Sequence, residues 1–334
     1  MHPDPPGLWW KESQPPLWEN GWAGQVTTSG ATARPRTIRL RQDKVVQSAL
    51  ATCRVLGLKA GDRALLCMPL QYIGAIMMVA RTIVAGLRLT VCRPSGHPLK
   101  ETSGRFRFAA MLPLQVYNSL ATPTERKRLG QIDILLIGGG GIDPDLEREL
   151  QGFPGAIYST YAMTETLSHV GLRRINGPEA TQYYCPLPGV SLTLAEDGAL
   201  VVNAPFATES PLRTNDMAEL LPDGRFRILG RKDNVINSGG IKIQAETLEE
   251  KLRPFMPAAT FAITSQPDPR LGEAVVLLVQ QAGHTTQQVE EAIAAARLSP
   301  YERPRHVRQV TAIPLAGNGK INRAACKALC LTTP

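Results

Sequence analysis

Ile132-Asp133-Ile134-Leu135-Leu136-Ile137-Gly138-Gly139-Gly140-Gly141-Ile142-Asp143-Pro144 is an apolar run that ends in four glycines, an acidic residue and a proline. A short apolar run with no polar face reads as a strand buried on both sides, the habit of parallel sheets. Asp143 suits a helix N-cap and Pro144 the first helical position, so the glycine loop is expected to join a strand to a helix. The carboxyl end of such a strand is where α/β sheets bind ligands. Four consecutive glycines exceed what a tight turn needs, and they admit close approach of a ligand to the backbone. The G-x-G-x-x-G register of dinucleotide binders does not close here, because Asp143 and Pro144 occupy its late positions. A base or ribose along the loop remains open, as does a plain strand-to-helix turn.

Working outward, residues 62–69, 88–92 and 156–160 read as further strands, with a helix over 72–85. This alternation predicts a large α/β N-terminal domain of helices packed on mixed, mostly parallel sheets. Two hairpins follow, 190–194 into 199–203 through Glu196-Asp197-Gly198, and 218–221 into 225–229 through Pro222-Asp223-Gly224. The character changes at Gly230-Arg231-Lys232-Asp233. Beyond it come a helix over 246–252, strands over 260–264 and 274–279, a helix opened by the Thr285/Gln288 capping box, and a strand over 307–313. The expected organisation is a domain over 1–230 and a small α+β C-terminal domain over 231–334.

Composition bounds the chemistry. The chain has 334 residues, 43% of them hydrophobic and 20% charged, as in an ordinary globular protein. Its longest apolar stretch, over 73–89, is broken by Arg81, Gly86 and Arg88, and so is not a membrane span. Residues 1–20 lack a signal pattern, and a cytoplasmic protein is expected. Six cysteines without a CxxC pair and five scattered histidines argue against a transition-metal site. Cys326 and Cys330, at i and i+4, read as packing. Much of the +8 net charge sits in Arg34, Arg36, Arg39, Arg41 and Lys44. With 5% aromatic residues and no nucleic-acid-binding signature, this favours a small anionic ligand over nucleic acid.

Several polar segments can carry chemistry. Thr27-Thr28-Ser29-Gly30-Ala31-Thr32-Ala33-Arg34-Pro35-Arg36 can wrap phosphate oxygens with backbone N–H groups and basic side chains, although it is not a Walker A motif. Tyr158-Ser159-Thr160-Tyr161-Ala162-Met163-Thr164-Glu165-Thr166 offers a carboxylate beside threonines for Mg²⁺ and a Tyr for a base. Arg213-Thr214-Asn215-Asp216 reads as a loop whose Asp can accept ribose hydroxyls. Gly230 to Lys242 and Gly317-Asn318-Gly319-Lys320-Ile321-Asn322-Arg323 are Gly-rich, and a loop lysine can place its charge on a developing acyl phosphate. Each alone is as readily a solvated turn; their order and spacing are more specific.

That ordered set, over residues 27 to 323, resembles the adenylate-forming superfamily of acyl-CoA synthetases, nonribosomal adenylation domains and luciferases. Most members carry a further N-terminal stretch, so the expected fold is an N-terminally shortened form, with a mobile C-terminal domain. Residues 68–74, 113–120 and 161–169 look most like the o-succinylbenzoate–CoA ligases of menaquinone biosynthesis. The resemblance implies that Thr28, Ser29, Gly30, Thr32 and Arg36 hold the ATP phosphates, and that Gly138, Gly139, Gly140, Gly141 and Tyr161 border the adenine. It implies catalytic roles for Lys320, Thr164 and Glu165, the last also on Mg²⁺. Asp216 would take the ribose with Arg231, Asp233 would be the hinge, and Ser238, Gly239 and Gly240 would line a thiol tunnel. Gln115, Asn118, Ser168 and His169 are the candidates for the acid.

The sequence departs from the family pattern at Ala31, Ala33 and Arg36 of the phosphate loop, at Ala162 and Asn215, and at Gln71. The implied activity is that of an AMP-forming ligase that joins a carboxylic acid to CoA, with ATP, Mg²⁺ and CoA as cofactor and co-substrates. No nucleic-acid partner or membrane span is expected, and a homodimer is allowed. The alternatives are a synthetase for another acid, an enzyme that loads a carrier protein, and a non-catalytic nucleotide binder.

Overall fold

The computed structural model describes residues 22–27, 37–142, 144–257, 260–282, 284–315 and 321–331. The chain divides into two compact units, Met1–Val190 with Asn203–Pro211, and Ser191–Val202 with Leu212–Pro334.

The first unit opens with β1 (Trp22–Thr27) paired antiparallel to β2 (Thr37–Arg41) as far as Thr27↔Thr37. Next come α1 (Gln42–Val55), β3 (Arg63–Leu66), α2 (Ile73–Ala85), β4 (Arg88–Val91), β5 (Phe106–Met111), α3 (Pro113–Ala121) and α4 (Pro123–Leu129). They are followed by β6 (Ile132–Ile137), α5 (Pro144–Leu150), β7 (Ala156–Ala162), β8 (His169–Arg174) and β9 (Cys185–Pro186). One sheet runs in the order β4-β3-β5-β6-β7-β8-β9. Pairings from β4 to β7 are parallel, and β8 and β9 join antiparallel. β6 has the expected bounds and lies between β5 and β7, which is why it lacks a polar face.

Phe106, Phe108, Leu135 and Ile137 are fully buried in this unit's core. Truncating Phe108 to Ala would cost about 3–5 kcal/mol. α2 stops where Gly86 takes a left-handed φ of 65°. β7 is longer than its sequence suggests. Its residues through Ala162 pair with β8, so Tyr161 and Ala162 stand on a strand rather than in a loop.

In the second unit, β10 (Ser191–Leu194), β11 (Ala199–Asn203), β12 (Leu212–Leu220) and β13 (Phe226–Arg231) form a sheet in chain order. β12 begins at Leu212, so Arg213 to Asp216 belong to a strand and not to the expected loop. After a 3-10 turn at Lys232–Asn234 come β14 (Val235–Ser238), β15 (Ile241–Gln244), α6 (Ala245–Leu252), β16 (Phe261–Asp268) and β17 (Gly272–Gln280). α7 (Thr286–Ala295), β18 (His306–Val310) and α8 (Arg323–Leu331) complete it. α7 carries the expected Thr285/Gln288 capping box.

β17 is central, with β16 antiparallel and β18 parallel beside it. Val275, Leu277 and Val279 pack with α6 and α7, while Val276 and Leu278 pack with Cys326 and Cys330 of α8. Helices on both faces explain its continuous apolar sequence, and the two cysteines do share a packed face. Arg323 donates from Nη1 to Glu249 Oε1 at 2.6 Å and from Nη2 to Oε2 at 2.7 Å, which ties α8 to α6.

The expected boundary near residue 230 falls inside this second unit. There Gln244 donates to the Arg231 carbonyl at 2.8 Å and Thr247 to the Leu229 carbonyl at 3.2 Å, which joins β13 to the residues that follow. Among the described residues no helix is long and apolar enough to cross a membrane.

Candidate functional site

The glycine run between β6 and α5 has two kinds of position. Gly138 lies so close to β7 that an added Cβ would collide with the Thr160 hydroxyl, and Gly139 has a φ of 79°. The fold itself therefore requires these two glycines. Among the described residues nothing lies within 4 Å of where a Cβ on Gly141 would be, which leaves room for a ligand there. Asp143, the expected N-cap, lies outside the described residues.

On the next strand, β7, Tyr161 is buried with its ring edge-on to Tyr184, centroids 6.1 Å apart. The loop after β7 holds Thr164 and Glu165. Thr166, fully buried, ties this loop by accepting from Met163 N at 3.2 Å and donating to the Ser168 carbonyl at 2.8 Å. Leu167 takes a left-handed φ of 62°, an uncommon strained conformation that marks the loop as specialised. Glu165 is exposed, and no ion pair to it is found among the described residues. One accessible carboxylate suits Mg²⁺ that brings most of its other ligands as water and phosphate oxygens. Among the described residues no cluster of three or more His, Cys, Asp or Glu side chains is placed to hold a metal.

Ser168, where this loop ends, leads to a residue whose role the sequence alone does not show. Arg81 lies on α2, only 2% exposed, and donates from Nη2 to Ser168 Oγ at 2.5 Å. Among the described residues its Nη1 reaches only the Met78 sulfur, at 3.9 Å, and its Nε has no hydrogen-bond partner. Among the described residues no carboxylate pairs with it. Burial pulls the guanidinium down to about 10. A buried cation without an anion is costly, so its presence here points to a charged ligand. The signal in the sequence was one charge inside an apolar helix.

His169 adjoins this group, 2% exposed. Its Nδ1 lies 3.3 Å from Ser168 Oγ, and its Nε2 lies 3.2 Å from Thr52 Oγ1 of α1. Burial first, and the Arg81 charge second, push its imidazole well below the usual histidine range.

The other two acid candidates make hydrogen bonds within the fold. Gln115 donates from Nε2 to the carbonyls of Cys67 and Ser95, and its Oε1 accepts from Leu112 N at 3.0 Å. Its amide thereby ties the end of β3, the residue-95 loop and the start of α3 together. Asn118 donates to the Gly96 carbonyl at 3.0 Å. Two of the basic residues near the phosphate loop are also engaged. Arg41 pairs with Asp43 and Glu209, and Lys44 donates to the Pro205 carbonyl at 2.5 Å.

In the second unit, β12 and β13 set Asp216 opposite Arg231, which donates to it at 3.2 Å. Asp233 accepts from Asn215 and Arg231, each at 3.4 Å, and Lys232 pairs with Asp197. Ser238 is buried at the end of β14, and Gly239 and Gly240, both with positive φ, form the two-residue turn into β15.

Thr28, Ser29, Gly30, Thr32, Arg36 and Lys320 lie outside the described residues. On either side of the Lys320 segment, Leu315 bridges Ile321, and Asn322 N donates to the Pro314 carbonyl at 2.8 Å.

Residues 4–205 match the family of AMP-binding enzymes. The 2-succinylbenzoate–CoA ligase of Lactococcus lactis is 24% identical over 321 residues, which cover 90% of this chain and 70% of the relative. The acyl-CoA synthetase (AMP-forming)/AMP-acid ligase II-like protein of Dyadobacter fermentans is 31% identical, with a TM-score of 0.61 over 92% of this chain and 89% of that one. The o-succinylbenzoate CoA synthetase of Bacillus subtilis, solved with its acyl-adenylate intermediate, shares the fold at a TM-score of 0.75 and 19% identity, over 91% of this chain and 69% of that one. The fold is that of adenylate-forming enzymes, and the chain belongs to the AMP-binding enzyme family.

Proposed function

We propose that this chain is an ATP-dependent, AMP-forming acid–CoA ligase and that its acid is o-succinylbenzoate. The observation that carries the acid is Arg81, a buried guanidinium without an anionic partner among the described residues, which donates to Ser168, a residue three positions after Glu165 along the chain. An acid with a second carboxylate, one that does not react, supplies the missing anion. A fatty acid would leave the charge unpaired. Arg suits this work, because its planar fork matches a carboxylate. The curated relative in Lactococcus lactis is named for the same acid.

In the reaction, one carboxylate of the acid attacks the α-phosphate of ATP, giving acyl-AMP and pyrophosphate. The CoA thiolate then attacks the acyl carbon and AMP leaves. Positioning and charge neutralisation carry such chemistry. Glu165 would hold Mg²⁺, which screens the phosphate charges when bound. Thr164 would stand near the α-phosphate, Asp216 and Arg231 would take the ribose, and the lysine at 320 would bridge acid and phosphate. Asp233 would be the hinge of a mobile C-terminal portion that brings Ser238, Gly239 and Gly240 to the thiol. The enzyme would work in the cytoplasm, and a homodimer is the first assembly to test, by sedimentation.

Acid-dependent ATP–pyrophosphate exchange tests this reading across o-succinylbenzoate, benzoate and fatty acids. Exchange with o-succinylbenzoate far above the others is expected. Silence with every acid would reject the ligase, and preference for a monocarboxylate would reject the substrate.

A further inference from the structure

We infer that His169 and Thr52 are positioning residues that fix Ser168, and through it Arg81, for the unreacting carboxylate of the acid. This rests on the reading of Arg81 given above.

The hydrogen-bond chain has one direction. Thr52 has a single hydroxyl proton, and its Oγ1 lies 3.2 Å from the Ser48 carbonyl one turn earlier in α1, the usual back-bond of a helical threonine. With the proton on that carbonyl, Thr52 meets His169 Nε2, 3.2 Å away, only as an acceptor. Nε2 must then carry the imidazole proton, and Nδ1 is bare. Nδ1 can only accept from Ser168 Oγ, 3.3 Å away, so the serine proton points inward. Ser168 in turn accepts from Arg81 Nη2 at 2.5 Å. The chain runs from guanidinium to Ser168, to His169, to Thr52, to the Ser48 carbonyl. Thr52, His169 and Arg81 are all buried, which shields these bonds from water.

Two consequences follow for the acid. The serine hydroxyl holds one side of the guanidinium fork and does not donate to the ligand. Arg81 Nε, without a hydrogen-bond partner among the described residues, is left for it. The guanidinium held in this way would favour an ionised carboxylate over its carboxamide. Loss of Thr52 or His169 lets the serine and the guanidinium turn, without touching the reacting atoms.

Nitrogen NMR of the His169 imidazole in the full chain, assigned by comparison with His169→Gln, is the first test. A neutral ring protonated on Nε2 is expected, and a ring protonated on Nδ1 would overturn the inference whatever the variants do. Steady-state adenylation by Thr52→Val and His169→Gln is the second. The KM for o-succinylbenzoate should rise about tenfold or more, as for loss of a buried hydrogen bond, with kcat and the KM for ATP little changed. Thr52→Ser, which keeps the hydroxyl, should restore the low KM. An unchanged acid KM in both variants would reject the positioning role. If the wild-type chain adenylates no acid, it is the ligase reading that fails, while the tautomer measurement still decides the direction of the chain.

Discussion

Arg231 donates from Nη1 to Asp216 at 3.2 Å, across the β12–β13 pair in which the two residues stand opposite each other. Neither lies on a loop at that point, so the carboxylate is aimed by two strands rather than by a turn. If it takes the ribose, Asp216→Asn should raise the KM for ATP by about tenfold or more, as for a hydrogen bond to a charged group. Arg231→Ala should also raise it, and the double variant should fall short of the product, because the residues share a contact. Independent effects would mean that the pair does not act together.

The buried charge of Arg81 makes a function-for-stability exchange. Arg81→Met should lower kcat/KM for o-succinylbenzoate by about a hundredfold or more, as for loss of a charged hydrogen-bonding partner. The same change removes an uncompensated buried cation, so resistance to urea should hold or rise, by about 1 kcal/mol or more. A large loss of stability would show that the guanidinium is needed by the fold.

Acid should weaken the fold through His169. Burial and the neighbouring guanidinium hold its imidazole well below the usual range in the folded chain. The unfolded chain takes up that proton near pH 6.5, roughly the free histidine value. Below that pH the unfolded state binds more protons. Stability is thus fully present above the unfolded value and is lost as pH falls toward the folded one, by up to about 1.4 kcal/mol per pH unit. Urea unfolding between about pH 7 and pH 5 should show a steeper decline for wild type than for His169→Gln, and parallel declines would exclude the effect.

The glycine run should separate fold from ligand. Gly138→Ala drives a Cβ into the Thr160 hydroxyl and should destabilise by about 1–3 kcal/mol. Gly141→Ala meets none of the described residues within 4 Å and should change stability by less than about 0.5 kcal/mol. A raised KM for ATP in the second variant, with stability intact, would place the nucleotide along this loop. No change in that KM would remove Gly141 from the site.

The sequence by itself marked β6, in the parallel sheet of the first unit, and β17, at the centre of the second unit's sheet, as strands covered on both faces, because only two-sided burial can use their apolar runs. Local chemistry likewise marked the Thr285 capping box, the hairpin turns and the order of the Gly-rich motifs. The extents of β7 and β12 depended on pairing with the strands that follow them, which local sequence preference does not show. Tyr161 and Asp216 therefore moved from expected loops onto strands, where β8 and β13 pair with them. Only the tertiary structure showed that the Gln115 amide is engaged by backbone from three segments, and that Arg81 is buried without an anion among the described residues. A sequence records that a residue can carry charge or donate a hydrogen bond. Which neighbours meet that capacity, and which groups are left without one, is settled only when distant segments pack together.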